Sequence, residues 1–221
     1  MKARAPKIAP EARAKELQND LGLKYPDFTV CCTGAKIYIR GAFPVLHEGT
    51  VLDRYQIEIE WSDSDTEVPL LRETGGRIPW IADRHMSRGG MACLFVPEEW
   101  LLRSREEKTV IHYLDGPVRN YFLWQSLYDR GESPPWKDRA HFAPGLLEAY
   151  GEMVGMEGES TVRCCLEYLS KEQIKGHWPC PCGSGKRTRD CHLTHMRELQ
   201  SKIPRYIALS ALARLTNPTI K

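Results

Sequence analysis

Two groups of residues have types and spacings suited to chemistry. The first is Cys180-Pro181-Cys182-Gly183-Ser184-Gly185-Lys186, followed after a gap by Cys191-His192. Three thiolates and one imidazole complete a tetrahedral set for a structural Zn²⁺, with no position left for water. Gly183 and Gly185 free the backbone to fold tightly around the sulfurs. Lys186, Arg187 and Arg189 offset the thiolate charge and favour deprotonation. The competing reading is reduced surface thiols on a basic loop; it is weaker, because four ligands rarely coincide at such spacing. The second group surrounds Cys93, in His85-Met86-Ser87-Arg88-Gly89-Gly90-Met91-Ala92-Cys93-Leu94. A cysteine after a glycine-rich approach, outside any periodic element, is a candidate nucleophile. An inert buried thiol is its competing reading.

Composition bounds what these groups can belong to. The chain has 221 residues, 42% hydrophobic and 27% charged, as in ordinary globular proteins. No run of about 18 apolar residues offers a membrane span. The basic start, Met1 to Lys7, has no apolar stretch behind it, so no secretory signal is expected and the cytoplasm is the expected location. Eight cysteines in such a chain point to metal or reactive thiols rather than to a disulfide framework. The net charge of +2 is an average over two regions. Residues 1–170 carry 21 Lys and Arg against 26 Asp and Glu, while residues 171–221 carry 10 against 3. The basic tail lacks interleaved aromatics or a reader motif. Charge compensation around a metal therefore explains it better than nucleic-acid binding does.

The elements that position these groups follow from periodicity. Pro10 to Leu21 reads as a helix with Ala14, Leu17 and Leu21 on one face. Strands are expected at residues 28–32, 36–43 and 55–61, with Val68 to Leu71 as an edge strand. In the third, Tyr55, Ile57, Ile59 and Trp61 face one way and Gln56, Glu58 and Glu60 the other. This is an antiparallel meander with one buried face. Arg72 to Pro97 shows no periodicity and reads as a long loop. Ser104 to Glu107 forms a capping box opening a helix through Leu114. Gly116-Pro117 interrupts it, and a second helix runs from Pro117 to about Tyr128. A short helix spans Gly145 to Val154. Residues 161–168 fit either strand or helix, and Arg197 to Leu215 reads as one amphipathic helix. The class is α+β.

The cysteine-rich string resembles the SEC-C motif, a small zinc module at the ends of many bacterial proteins, at every metal position. That resemblance implies partner binding rather than catalysis. The order helix, meander, loop with Gly90-x-x-Cys93-Leu94, Trp100 and then helices resembles the ubiquitin-conjugating enzyme fold over about residues 9–155. Trp124 to Tyr128, Gly131, Trp136, His141 and Gly145 to Tyr150 resemble the bacterial branch, which includes proteins of CBASS antiphage operons. The resemblance implies that Cys93 carries a protein C-terminus as a thioester and passes it to a lysine amine. It also implies a cGAS-like nucleotidyltransferase as the transferred partner. No adenylating fingerprint is present, so any activating enzyme is a separate protein.

One departure stands out. Where the eukaryotic family has His-Pro-Asn, this chain has Asp83-Arg84-His85. His85 would donate to an oxyanion or deprotonate an incoming amine; a histidine on the loop surface or hydrogen-bonded within it is the competing reading. Asp83 would orient His85 or suppress the pKa of a target lysine, with a plain solvated carboxylate as its competing reading, and Arg84 and Arg88 would favour the Cys93 thiolate. A non-catalytic adaptor of the same fold is the alternative. Cys32 reads as core and Cys31 as outward. Cys164 and Cys165, outside any ligand spacing, read as packing residues, as do Trp100, Trp124 and Trp136. His177 and His195 are bystanders to the metal set. The expected division is a conjugating-like domain over 1–158, then a linker, the zinc module and a terminal helix over 159–221.

Overall fold

The computed structural model describes residues 9–64, 66–87, 89–104, 106–133 and 142–216. Arg88, Trp136 and His141 lie outside them. The class is α+β, with four antiparallel strands in a single sheet and several helices. The described residues divide into two compact units, 9–94 with 106–133 and 95–104 with 142–216. No helix among them is long and apolar enough to cross a membrane.

In the first unit, α1 (Pro10–Gly22) opens on Pro10, whose missing N–H costs nothing in a first turn. The sheet runs in sequence order: β1 (Thr29–Thr33), β2 (Lys36–His47), β3 (Thr50–Trp61) and β4 (Leu70–Glu73). Ile39 pairs with Ile59 and Phe43 with Tyr55, so the apolar sets of β2 and β3 fall on one face. Ile39, Phe43, Tyr55, Ile57 and Ile59 are essentially inaccessible, and burying each such side chain stabilises by roughly 1.5–3 kcal/mol. Phe122 covers them, its ring 4.5 Å from Tyr55 and 5.7 Å from Phe43.

Phe122 belongs to a helix that departs from expectation at both interruptions. α3 (Val110–Tyr113) starts at Thr109, whose Oγ1 accepts the His112 N–H, rather than at a box on Ser104. At Gly116-Pro117 the helix does not stop. A π-turn over Leu114–Val118 carries it into α4 (Arg119–Asp129) and absorbs the N–H that Pro117 lacks. Cys32 is half-buried rather than core, its thiol donating to Pro10 O at 3.3 Å.

The second unit comprises α2 (Pro97–Leu101), α5 (Phe142–Val154), α6 (Glu159–Leu169), α7 (Leu193–Lys202) and α8 (Arg205–Thr216). Its core joins Leu146 and Tyr150 of α5, Cys165 and Leu166 of α6, Met196 of α7 and Ala211 of α8. The ambiguous stretch 161–168 is thus helical. The expected boundary at 158/159 does not coincide with this division, because α5 shares its apolar face with the elements that follow it. The single helix expected over 197–215 is two. Ile203 is extended (φ −92°, ψ 114°), as the residue before Pro204 must be to avoid the proline ring.

Candidate active-site loop and metal centre

After β4 the chain is more ordered than its lack of periodicity suggests. Glu73, almost wholly buried, accepts the N–H groups of Gly75 (2.8 Å) and Arg77 (3.0 Å), which turns the chain back on itself. A short 3₁₀ turn, Ala82–Arg84, follows. Isolated bridges then pair Met86 with Ala92 and Met91 with Arg72, and Ala92 N–H donates to Leu71 O at 2.9 Å. The approach to Cys93 is therefore a narrow ribbon laid along the β4 edge. Single backbone pairs of this kind leave no periodic trace in a sequence. Gly90 sits at the ribbon's turn with φ +73°, where a Cβ would lie 2.8 Å from the Trp80 ring.

Cys93 ends the ribbon. The residue is exposed, while protein around its sulfur still desolvates the thiol and pushes its pKa up. Arg84 does not offset this. Its guanidinium is turned into the protein, Nε donating to Gln125 Oε1 at 2.6 Å and Nη2 to Asp129 Oδ1 at 2.7 Å. His85 is brought close through the backbone, its carbonyl accepting the Cys93 N–H at 2.8 Å. His85 is left-handed (φ 48°, ψ 41°), a conformation that costs an L-residue about 1–2 kcal/mol. Its ring meets Trp124 edge-on at 5.5 Å. Strain held at a non-glycine residue beside a thiol is a mark of functional positions. Asp83 is exposed and makes no side-chain hydrogen bond among the described residues, so it does not orient His85.

The second site lies in the 23 residues between α6 and α7. Cys180 N–H donates to Lys186 O (2.8 Å) and Thr188 N–H to Trp178 O (2.8 Å), closing a tight knuckle. Gly183 and Gly185 turn it with φ +74° and +72°. The four expected ligands converge, every ligand atom lying within 4.8 Å of every other. Cys182 Sγ is 3.4 Å from Cys180 Sγ and 3.6 Å from Cys191 Sγ, and His192 Nδ1 is 3.2 Å from both Cys180 and Cys191 sulfurs. These separations exclude disulfides, whose sulfurs are about 2 Å apart. They sit near the edges, roughly 3.5–3.8 Å, of a tetrahedron drawn with Zn–S of about 2.3 Å and Zn–N of about 2.0 Å. The group could hold a metal ion, and its soft donors suit zinc chemistry.

Ser184, which sequence reasoning passed over, belongs to this site. Its Oγ is 3.2 Å from Cys182 Sγ, and that hydroxyl together with its backbone N–H brings the Cys182 thiol down to about 6. Burial pushes neighbouring Cys180 the other way. Cys165, buried in α6, is a core residue, its thiol pushed up to about 12 mainly by burial. His177 and His195 are not among the converging ligands. No family model, curated protein or solved structure matches the chain.

Proposed function

We propose that the chain is a ubiquitin-conjugating-like transferase whose nucleophile is Cys93. The observation that carries this reading is the exposed cysteine at the end of a ribbon on a four-stranded meander, beside a strained histidine. In the proposed reaction the Cys93 thiolate attacks the activated carbonyl carbon of a protein C-terminus and the activating group leaves. A lysine amine then attacks the thioester, the Cys93 thiolate departs, and His85 takes the amine proton. The family resemblance suggests a cGAS-like nucleotidyltransferase as the transferred protein, in antiphage defence, with activation by a separate enzyme. Cys180, Cys182, Cys191 and His192 would hold a structural Zn²⁺ that fixes the knuckle for partner binding.

A non-catalytic adaptor is the second reading. The raised Cys93 thiol and His85 in place of the family's Asn favour it. A peptide carrying a C-terminal glycyl thioester of mercaptoethanesulfonate separates the two. The transferase acquires a hydroxylamine-labile acyl group mapped to Cys93, absent in Cys93→Ala, and discharges it to free lysine. A wild-type protein that never acylates at Cys93, under conditions where iodoacetamide alkylates it, is an adaptor.

A further inference from the structure

Five residues of α4 share one stripe at helical spacing: Tyr121, Trp124, Gln125, Tyr128 and Asp129. Every one of them is spent on two consecutive residues of the loop, Arg84 and His85. Trp124 takes the His85 ring edge-on. Asp129 and the Tyr128 ring, 4.6 Å below the guanidinium, take the Arg84 side chain. Gln125, with no exposed surface, takes both ends of Arg84. Its Oε1 accepts Arg84 Nε at 2.6 Å, and its Nε2 donates to the Arg84 carbonyl at 2.7 Å. Tyr121 Oη donates to that same carbonyl at 3.0 Å.

That carbonyl belongs to the peptide plane between Arg84 and His85. Rotating the plane changes φ of His85, the angle held in the left-handed region. Two donors from α4 therefore fix the plane on one side of His85, and the Cys93 N–H bound to the His85 carbonyl fixes the other. An unsupported histidine would relax to a negative φ and swing its imidazole relative to the thiol. Buried Gln125 has its acceptor oxygen and one of its two N–H donors satisfied by this one residue.

We infer that Gln125 and Tyr121 are positioning residues that hold the Arg84–His85 peptide plane, and through it His85, against Cys93. The geometric part stands on the hydrogen bonds alone; its purpose rests on the transferase reading above. Gln125→Glu keeps an acceptor for the Arg84 guanidinium but places a second acceptor against the Arg84 carbonyl. Tyr121→Phe removes a single hydroxyl and leaves the ring in place.

Two measurements on the full chain test this. The first is the ring-proton NMR shift of His85, assigned by His85→Gln, which the edge-on Trp124 contact displaces. The second is discharge of the Cys93 glycyl-peptide thioester to free lysine. Gln125→Glu should move the His85 signal toward its random-coil position and slow discharge by roughly 100-fold, the scale of an ångström-sized misplacement. Tyr121→Phe should do the same more weakly, by about tenfold in discharge. The melting transition of Tyr121→Phe should stay near wild type. An unmoved His85 signal with unchanged discharge in both variants overturns the assignment. If wild-type protein forms no thioester, the transferase reading fails, while the His85 signal still decides whether the clamp exists.

Discussion

The two cysteine sites are assembled by different means. The four candidate metal ligands lie within 13 residues, and a knuckle closed by its own backbone bonds brings them together. Cys93 depends on pieces far apart in sequence: the β4 edge that carries its ribbon and the α4 stripe that grips Arg84. The thiols differ accordingly. Ser184 lowers Cys182 from inside its own loop, whereas the fold around Cys93 desolvates it, and no cation among the described residues compensates. A site closed locally can be complete in any fold that tolerates the loop. A site closed by tertiary contacts is only as well defined as the elements that meet there.

The largest expected effect falls on the local site. Cys191→Ser should lower metal content from about one ion per chain to near zero. If the proposed zinc is bound there, the substitution should also unfold the second unit cooperatively, since a structural zinc supplies on the order of 10 kcal/mol of apparent binding free energy. Metal analysis paired with hydrogen exchange over 159–216 checks this, and an intact second unit without metal would make the knuckle an ornament rather than a strut.

The distributed site should answer to a change outside any reacting group. Gly90→Ala forces a left-handed alanine against the Trp80 ring, at a cost of about 1–2 kcal/mol. The exposed indole is free to yield in part, so the ribbon shifts rather than unfolds. Slower Cys93 alkylation with a modestly lowered melting temperature is the expected outcome. Unchanged alkylation would show that the ribbon's turn does not set the thiol's surroundings.

The two units should also differ in their response to acid. Glu98 has no exposed surface, and among the described residues its oxygens meet no well-aligned hydrogen-bond donor: Arg214 Nη2 lies 3.7 Å away, and the nearby Tyr150 hydroxyl only partly offsets burial. Burial pushes its carboxyl up. The unfolded chain then releases that proton more readily, so this group costs stability as pH rises above its unfolded value of about 4.3. Glu98→Gln should raise second-unit stability at pH 7 by on the order of 1 kcal/mol, read from denaturant midpoints at pH 5 and pH 7. A gain equal at both values would place the effect elsewhere.

Asp53 of the first unit works in the opposite sense and more weakly. Arg77 Nη1 and Nη2 donate to its two oxygens at 2.6 and 2.8 Å, and this pairing holds the carboxyl below its usual value. Its contribution is complete above the unfolded value of about 3.9 and vanishes as pH falls through the lower folded value. Because Arg77 is partly exposed, solvent screening limits it to at most about 1 kcal/mol. Arg77→Ala should lose that amount at pH 7 and progressively less as pH falls through the folded Asp53 value, seen in melts of the first unit. A loss persisting in acid would come from Arg77 stacking on the Tyr55 ring instead.

Much of this molecule was legible in the chain alone, because the deciding interactions are short in sequence. The alternation Tyr55, Ile57, Ile59 and Trp61 named the buried face of β3, since the period of a strand is local geometry. The spacing of Cys180, Cys182, Cys191 and His192 named a ligand set, since one knuckle spans it. Only the tertiary structure decided the rest. It turned Arg84 away from Cys93 and onto Gln125, carried a helix through Pro117 on a π-turn, and joined α5 to the helices after it. Each of these is settled by which distant surface lies opposite, and neither propensity nor spacing encodes what a side chain finds there. The left-handed turn at His85 is the sharpest case. Histidine does not favour it, and it persists because donors 36 and 40 residues downstream of His85 hold the peptide before it.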